Sequence, residues 1–123
     1  MPVLIANLST GKGTWAEVNR MISSFAWSRV FLITNQFGKD NFTCSANTEL
    51  ILVNAELDSR AQCDVIIKEL RGKITDFEVA INFASGSGRE HMALLEAIME
   101  MGFSFRIVTL TNGNYDVLGI RRE

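Results

Sequence analysis

Two glycine-rich segments carry the residue types best suited to chemistry in this chain. Residues 9–14, the first loop, read Ser-Thr-Gly-Lys-Gly-Thr, and residues 85–89, the second loop, read Ser-Gly-Ser-Gly-Arg. Small residues let a backbone approach a ligand closely, and the N–H groups at the start of a helix are unpaired. Lys12 and Arg89 add one positive charge to each loop. This combination predicts binding of phosphate or another anion.

The residues of both loops are candidate ligand contacts, together with one neighbour. His91 is the only histidine, and it falls in the first turn of the helix predicted after the second loop. A lone histidine is more often a packing or surface residue than a catalyst, and both roles stay open here. The predicted ligand contacts are Ser9, Thr10, Gly11, Lys12, Gly13, Ser85, Gly86, Ser87, Gly88, Arg89 and His91.

Neither loop matches an established nucleotide motif. The first loop lacks the spacing and the Gly-Lys-Ser/Thr ending of the Walker pattern, and the second lacks the third glycine of the dinucleotide pattern. Each loop alone is also compatible with a simple tight turn. The sequence contains no carboxylate cluster and no zinc spacing, so it predicts no metal and no cofactor.

Length and composition predict one domain spanning residues 1–123. A net charge of −2 gives no field that would attract duplex nucleic acid or an anionic membrane. The apolar runs are of strand length, well short of the roughly 20 residues of a membrane span. The sequence has two cysteines, Cys44 and Cys63, and no apolar leader ahead of the first strand. We therefore expect reduced thiols in the cytoplasm.

Short apolar runs rich in β-branched residues predict strands that are covered on both faces. These runs span residues 3–6, 30–33, 50–53, 77–83 and 105–110. Helical patterns alternate with them, which predicts an α/β fold, a Rossmann-like three-layer sandwich with a mainly parallel central sheet. Asn112-Gly113 is typical of a type I′ turn and predicts a C-terminal β-hairpin.

Apolar residues spaced three and four apart predict the first two helices, within residues 15–25 and 63–74. We expect Thr14 to cap the first helix, and Asp58 or Ser59 to cap the second.

Two other segments have less regular patterns. Residues 35–48 have no clear helical period and are interpreted as a possible functional loop, in which Phe37 or Phe42 could stack on a base. The third predicted helix, near residues 90–101, is apolar on more than one face. Such a helix is usually buried on two sides, either within a deep core or against a second copy of the chain.

The two loops resemble those of CRISPR-associated Rossmann-fold (CARF) domains. The resemblance rests on the turn and helix start at residues 9–15 and on the run Asn-Phe-Ala-Ser-Gly-Ser-Gly-Arg-Glu-His-Met at residues 82–92. It implies a stand-alone sensor or ring-nuclease-like member, in which a homodimer binds cyclic oligoadenylate, with cyclic tetra-adenylate as the expected ring, across its two-fold axis. At residues 85–89 the chain departs from the more usual Gly-Gly-Thr-Lys run of the family.

The resemblance also implies a possible metal-independent cleavage of the bound ring. In that reaction a ribose 2′-hydroxyl attacks the neighbouring phosphate, and the loops align the attack. The catalytic candidates are Ser9, which would position the hydroxyl, a role that Ser87 could also fill, and Lys12 and Arg89, which would stabilise the developing charge. Two alternatives stay open: a noncatalytic regulatory or protein-interaction subunit, and a small nucleotide-binding enzyme without a recognised fingerprint.

Overall fold

Strands and helices alternate along most of the chain. The computed structural model describes residues 2–10 and 12–118, and for Lys12 it describes the backbone alone. The strands are β1 (Val3–Leu8), β2 (Arg29–Thr34), β3 (Thr48–Leu52), β4 (Glu78–Asn82), β5 (Ser104–Thr111) and β6 (Asn114–Val117). The helices are α1 (Trp15–Ser23), α2 (Gln36–Asn41), α3 (Ser59–Leu70) and α4 (Gly88–Glu100), and a 3₁₀ turn at Lys12–Thr14 precedes α1.

A six-stranded sheet has the order β3-β2-β1-β4-β5-β6. Its pairings are parallel except for the last, between β5 and β6, which is antiparallel. In the centre, Ile5 of β1 pairs with Phe31 on one side and Ile81 on the other. The predicted α/β class, the mainly parallel sheet and the C-terminal hairpin are confirmed.

Helices cover both faces of the sheet. Alternate side chains of a strand point to opposite faces, so β1 contributes to a buried cluster on each side. Leu4 and Leu8 of β1 pack with Val18 and Met21, which α1 contributes. Ile5 belongs to the opposite cluster, which α3 and α4 complete. Every residue of β1 is buried, as expected for the central strand of a three-layer sandwich.

The element boundaries agree only in part with the predictions. Asp58 caps α3 by accepting a hydrogen bond from the backbone of Ala61, as predicted. Thr14 occupies the N-cap position of α1, but its side chain makes no capping bond, so that prediction was wrong. Asn112 and Gly113 both have positive φ, 53° and 81°, which is the geometry of the predicted type I′ turn.

A short helix, α2, lies in the segment that was predicted to lack a helical period. The Asn35 side chain caps it by accepting from the backbone of Gly38. Gly38 is buried so tightly that an added Cβ would lie 1.9 Å from Oγ1 of Thr34. The helix therefore forms through one cap and one close backbone approach to β2, neither of which gives an apolar period.

Within the described ranges, no helix combines the length and apolarity needed to cross a membrane.

Candidate functional site

The two predicted loops meet at the centre of the sheet. The first loop follows β1 and the second follows β4, and these strands are neighbours from which the chain continues to helices on opposite faces. In an open α/β sheet this change of direction leaves a crevice beyond the carboxyl ends of the strands, where ligands bind. The two loops therefore lie where a ligand is expected on fold geometry alone.

Ser85 joins the loops by direct hydrogen bonds. Its hydroxyl accepts from the backbone N–H of Ser9 at 2.8 Å and from Thr14 Oγ1 at 2.8 Å, and it donates to Ser9 Oγ at 3.0 Å. Ser85 is 1% exposed. A buried hydroxyl with this set of partners holds the loops together and has little capacity left for a ligand.

Trp15 fixes the other end of the first loop. Its indole N–H donates to the carbonyl of Ser9 at 2.6 Å, and its ring packs against Phe37 and Phe42 with centroid distances of 5.8 and 5.5 Å. The Thr14 hydroxyl, which was expected to cap α1, instead spans the crevice to Ser85. The first loop is thus held by contacts to β4, to α1 and to the segment after β2.

The second loop begins with a tight turn at Gly86, whose φ is +102°. An added Cβ there would lie 3.1 Å from Cβ of Asn7 and 3.3 Å from Nε2 of His91. Nε2 of His91 is 2.8 Å from the carbonyl oxygen of Ser85, and the ring packs on Phe83. Among the described residues, the observed role of His91 is to support this turn.

The start of α4 is partly satisfied by its own side chains. Ser87 and Glu90 form a capping box, in which the Ser87 hydroxyl accepts from the Glu90 N–H and the Glu90 carboxylate accepts from the Ser87 N–H. The N–H groups of Gly88 and Arg89 precede the first intrahelical bond of α4 and are left over from the box. They remain suitable donors for an anion.

Arg89 supplies a positive charge in the first turn of α4, at the end of the second loop. Its side chain is exposed and forms no ion pair or hydrogen bond with the described residues, while its carbonyl accepts from Ser59. The predicted contacts at Gly11 and at the Lys12 side chain lie outside what the structure describes. Thr10 and Gly13 are exposed beside them. The ligand and catalytic roles assigned from sequence stay predictions.

Asn7 is a site residue that sequence reasoning missed. Its side chain is fully buried beneath Gly86, and neither its amide nitrogen nor its amide oxygen has a hydrogen-bond partner among the described residues. Such a group costs about 1–3 kcal/mol of stability, a cost that functional sites commonly carry. The available signal was a polar residue at the end of an otherwise apolar strand.

The same signal marks the neighbouring strands. Thr34 donates to the carbonyl of Leu8, and Asn82 donates to the carbonyl of Val108 while accepting from the N–H of Ala84. These buried polar groups join β2 to β1 and β4 to β5, so among the described residues the floor of the crevice is built from satisfied hydrogen bonds apart from Asn7.

The cysteines do not contribute a nucleophile. Burial, followed by the nearby Glu100 carboxylate, raises the pKa of the Cys63 thiol to about 11, and Cys63 donates to that carboxylate at 3.6 Å. Burial also raises the pKa of Cys44. Both thiols therefore stay protonated near neutral pH. The described residues contain no group of His, Cys, Asp and Glu side chains that could hold a metal ion.

One face of α4 is exposed and partly apolar, with the carboxylate of Glu96 between its two methionines. Met92 is 61% exposed and Met99 is 57% exposed, and with Leu95 they line a groove of about 410 Å³ between α3 and α4. Arg89 precedes Met92 by three residues and therefore lies on the same helical face. The apolar stripe thus runs directly from the proposed anion site.

No protein-family model matches this chain, and no curated protein matches it.

Proposed function

We propose that the protein binds a cyclic oligoadenylate at a homodimer two-fold site, as the resemblance to CARF domains implies. The observation that carries the proposal is the hydrogen bonding of Ser85 to Ser9 and Thr14, which joins the two glycine-rich loops into one crevice. A cation and unpaired helix N–H groups bind an anion more strongly when all of them contact it at one site. If the two loops lay apart, each of them would be explained as a simple tight turn.

The position of Arg89 on α4 supports a site shared between two copies. Arg89, Met92, Glu96 and Met99 follow helical spacing along one face. If two copies pack along the apolar stripe about a two-fold axis parallel to α4, both helix starts come to the same end of the dimer. Two Arg89 side chains, with Lys12 from each chain, then present a symmetric set of charges to a cyclic anion.

The geometry favours binding over cleavage. An arginine side chain is a poor proton donor, and the hydroxyl of Ser85 is already engaged. Nε2 of His91 is held by the Ser85 carbonyl. We therefore propose a sensor or ligand sink. Cleavage by the metal-independent route described above is tested by looking for linear product in EDTA.

Calorimetric titration with cyclic tetra-adenylate in EDTA tests the proposal. We expect saturable binding with one ligand for two chains. Arg89→Gln is expected to weaken the affinity about tenfold, because a charge-assisted hydrogen bond is worth about 1.5–3 kcal/mol and exposure to salt reduces it.

Arg71→Gln is the matched control, since Arg71 is exposed and its side chain has no partner among the described residues. It follows α3 at the opposite edge of the sheet, so its replacement is expected to change the affinity less than twofold. Absence of heat at high micromolar protein, or equal losses in the two variants, contradicts the proposal.

A noncatalytic interaction subunit is the second candidate, and the exposed stripe of α4 is the observation that favours it. The two candidates differ in what covers Met92 and Met99. If the stripe joins two copies, Met99→Glu is expected to turn a dimer into a monomer, because it places a carboxylate in an apolar contact. Sedimentation equilibrium measures this.

Phe77→Glu is the control for the oligomer, since Phe77 is 91% exposed and lies at the amino edge of the sheet. It is expected to leave the dimer intact. A wild-type protein that is monomeric at all concentrations contradicts the two-fold site and favours docking on a different protein.

A further inference from the structure

A second cavity lies beyond the carboxyl ends of β2 and β3. Its volume is about 620 Å³, within the range of small-molecule sites, which runs from about 300 to 1,000 Å³. We call it the β2–β3 pocket. The residues that matter for its chemistry are Asn35, Phe37, Leu52, Asn54 and Glu56.

The β2–β3 pocket adjoins the crevice between the two loops. Leu8, Thr34 and Leu52 occupy the same register across β1, β2 and β3, so the first loop and the pocket begin at the same level of the sheet. Adjacent strands lie about 4.8 Å apart, which puts the pocket within one or two strand spacings of Ser9.

Trp15 connects the pocket to the first loop. It donates to the Ser9 carbonyl and packs against Phe37, which lines the pocket. A ligand that fills both the crevice and the β2–β3 pocket would therefore lie beside Ser9, Trp15 and Phe37, which contact one another in that order.

The lining of the pocket suits a flat heteroaromatic ring. Phe37 and Leu52 are 39% and 41% exposed there, which offers an aromatic face and an aliphatic one. Nucleic-acid bases stack favourably on aromatic side chains. A planar group that covers exposed apolar surface removes this surface from water.

The polar groups of the pocket supply both donors and an acceptor. The Asn35 and Asn54 side-chain oxygens each accept from a backbone N–H, of Gly38 and Glu56, which leaves both NH₂ groups without a partner among the described residues. The Glu56 carboxylate is exposed, and its side chain is likewise without a partner there. Amide donors match the ring nitrogens of a purine, and a carboxylate matches its amino group or a ribose hydroxyl.

The two halves of the site differ in charge. The crevice has Arg89 beside it and helix N–H groups, whereas the pocket has a carboxylate and no cation among the described residues that line it. A phosphate is repelled by Glu56 and attracted by Arg89, while an uncharged base is indifferent to both. We infer that the β2–β3 pocket binds the purine base of the nucleotide whose phosphate the two loops hold, an inference that rests on the proposed function.

Two probes separate the halves of the site. Adenosine carries the base without a phosphate, and inorganic tripolyphosphate carries the anion without a base. We expect wild-type protein to bind adenosine with a dissociation constant of about 1 mM. Phe37→Leu is expected to weaken adenosine about fivefold and to leave tripolyphosphate unchanged, while Arg89→Gln does the reverse. Asn54→Asp is expected to weaken adenosine about fivefold, and it also weakens tripolyphosphate because it adds a carboxylate.

Asn54→Asp keeps the oxygen that accepts from Glu56, so the turn retains its hydrogen bond while the NH₂ donor is lost. Phe77→Leu, at the amino edge of the sheet, is the control for loss of an aromatic ring.

The inference is overturned if adenosine fails to bind at 10-fold its expected dissociation constant. It is also overturned if adenosine binds the wild-type protein and the pocket variants with equal affinity. If tripolyphosphate still binds and depends on Arg89, the proposed anion site stands without the pocket. If adenosine binds as expected and tripolyphosphate does not, the pocket stands and the proposed function fails.

Discussion

Ser85→Ala is expected to lower the free energy of unfolding by about 3 kcal/mol, far more than most single substitutions of a small side chain. The hydroxyl of Ser85 is 1% exposed and bonds to the backbone of Ser9 and to the hydroxyls of Ser9 and Thr14. Its removal takes this acceptor away from the half-buried backbone N–H of Ser9 and hydroxyl of Thr14. Each such group costs about 1–3 kcal/mol.

Urea unfolding followed by tryptophan fluorescence measures this loss. Ser104→Ala is the matched control, because Ser104 is exposed and its hydroxyl makes no hydrogen bond among the described residues. The control is expected to change stability by less than about 0.5 kcal/mol. Equal effects of the two substitutions would show that Ser85 does not hold the loops together.

Gly86→Ala has the second largest expected effect, a loss of about 2 kcal/mol. Left-handed backbone geometry costs a residue with a Cβ about 1–2 kcal/mol, and the φ of Gly86 is +102°. The new Cβ would also lie 3.1 Å from Asn7 Cβ, a rigid atom of β1. The turn has to shift, and the hydrogen bond between His91 and the Ser85 carbonyl shifts with it.

Gly88→Ala is the control from the same loop. An added Cβ there meets nothing within 4 Å, and Gly88 does not have positive φ. Because alanine restricts the unfolded chain more than glycine does, we expect Gly88→Ala to stabilise the protein by about 0.4–1 kcal/mol. Thermal unfolding of both variants measures the contrast, and a Gly86→Ala protein as stable as Gly88→Ala contradicts the strained turn.

The position of the two loops at the same edge of the sheet was predictable from the strands and helices around them. Ser9 and Ser85 each follow a buried strand and precede a helix, and in a parallel sheet such loops leave the same edge. The contact between them was not predictable, because it requires β4 to lie directly beside β1, and the two residues are 76 positions apart in sequence. Strand order depends on how helix faces pack, which local patterns do not encode.

Other features escaped prediction for local reasons. The helix α2 has six residues and one buried position, Gly38, so it leaves no apolar period. The helix α4 begins at Gly88 and not at residue 90, because the capping box of Ser87 and Glu90 starts it earlier. That box was readable from the spacing of Ser and Glu. Of the residues that line the β2–β3 pocket, sequence analysis singled out only Phe37, since most of the others lie at residues 52–57, a segment distant in sequence.

Amide-resolved NMR of the labelled protein, titrated with cyclic tetra-adenylate, tests the joint anion site most directly. We predict that the largest shifts fall on residues 9–14 and 85–89 together and that they saturate at one ligand for two chains. Shifts confined to one of these loops, or centred elsewhere while both loops stay unchanged, contradict a shared site.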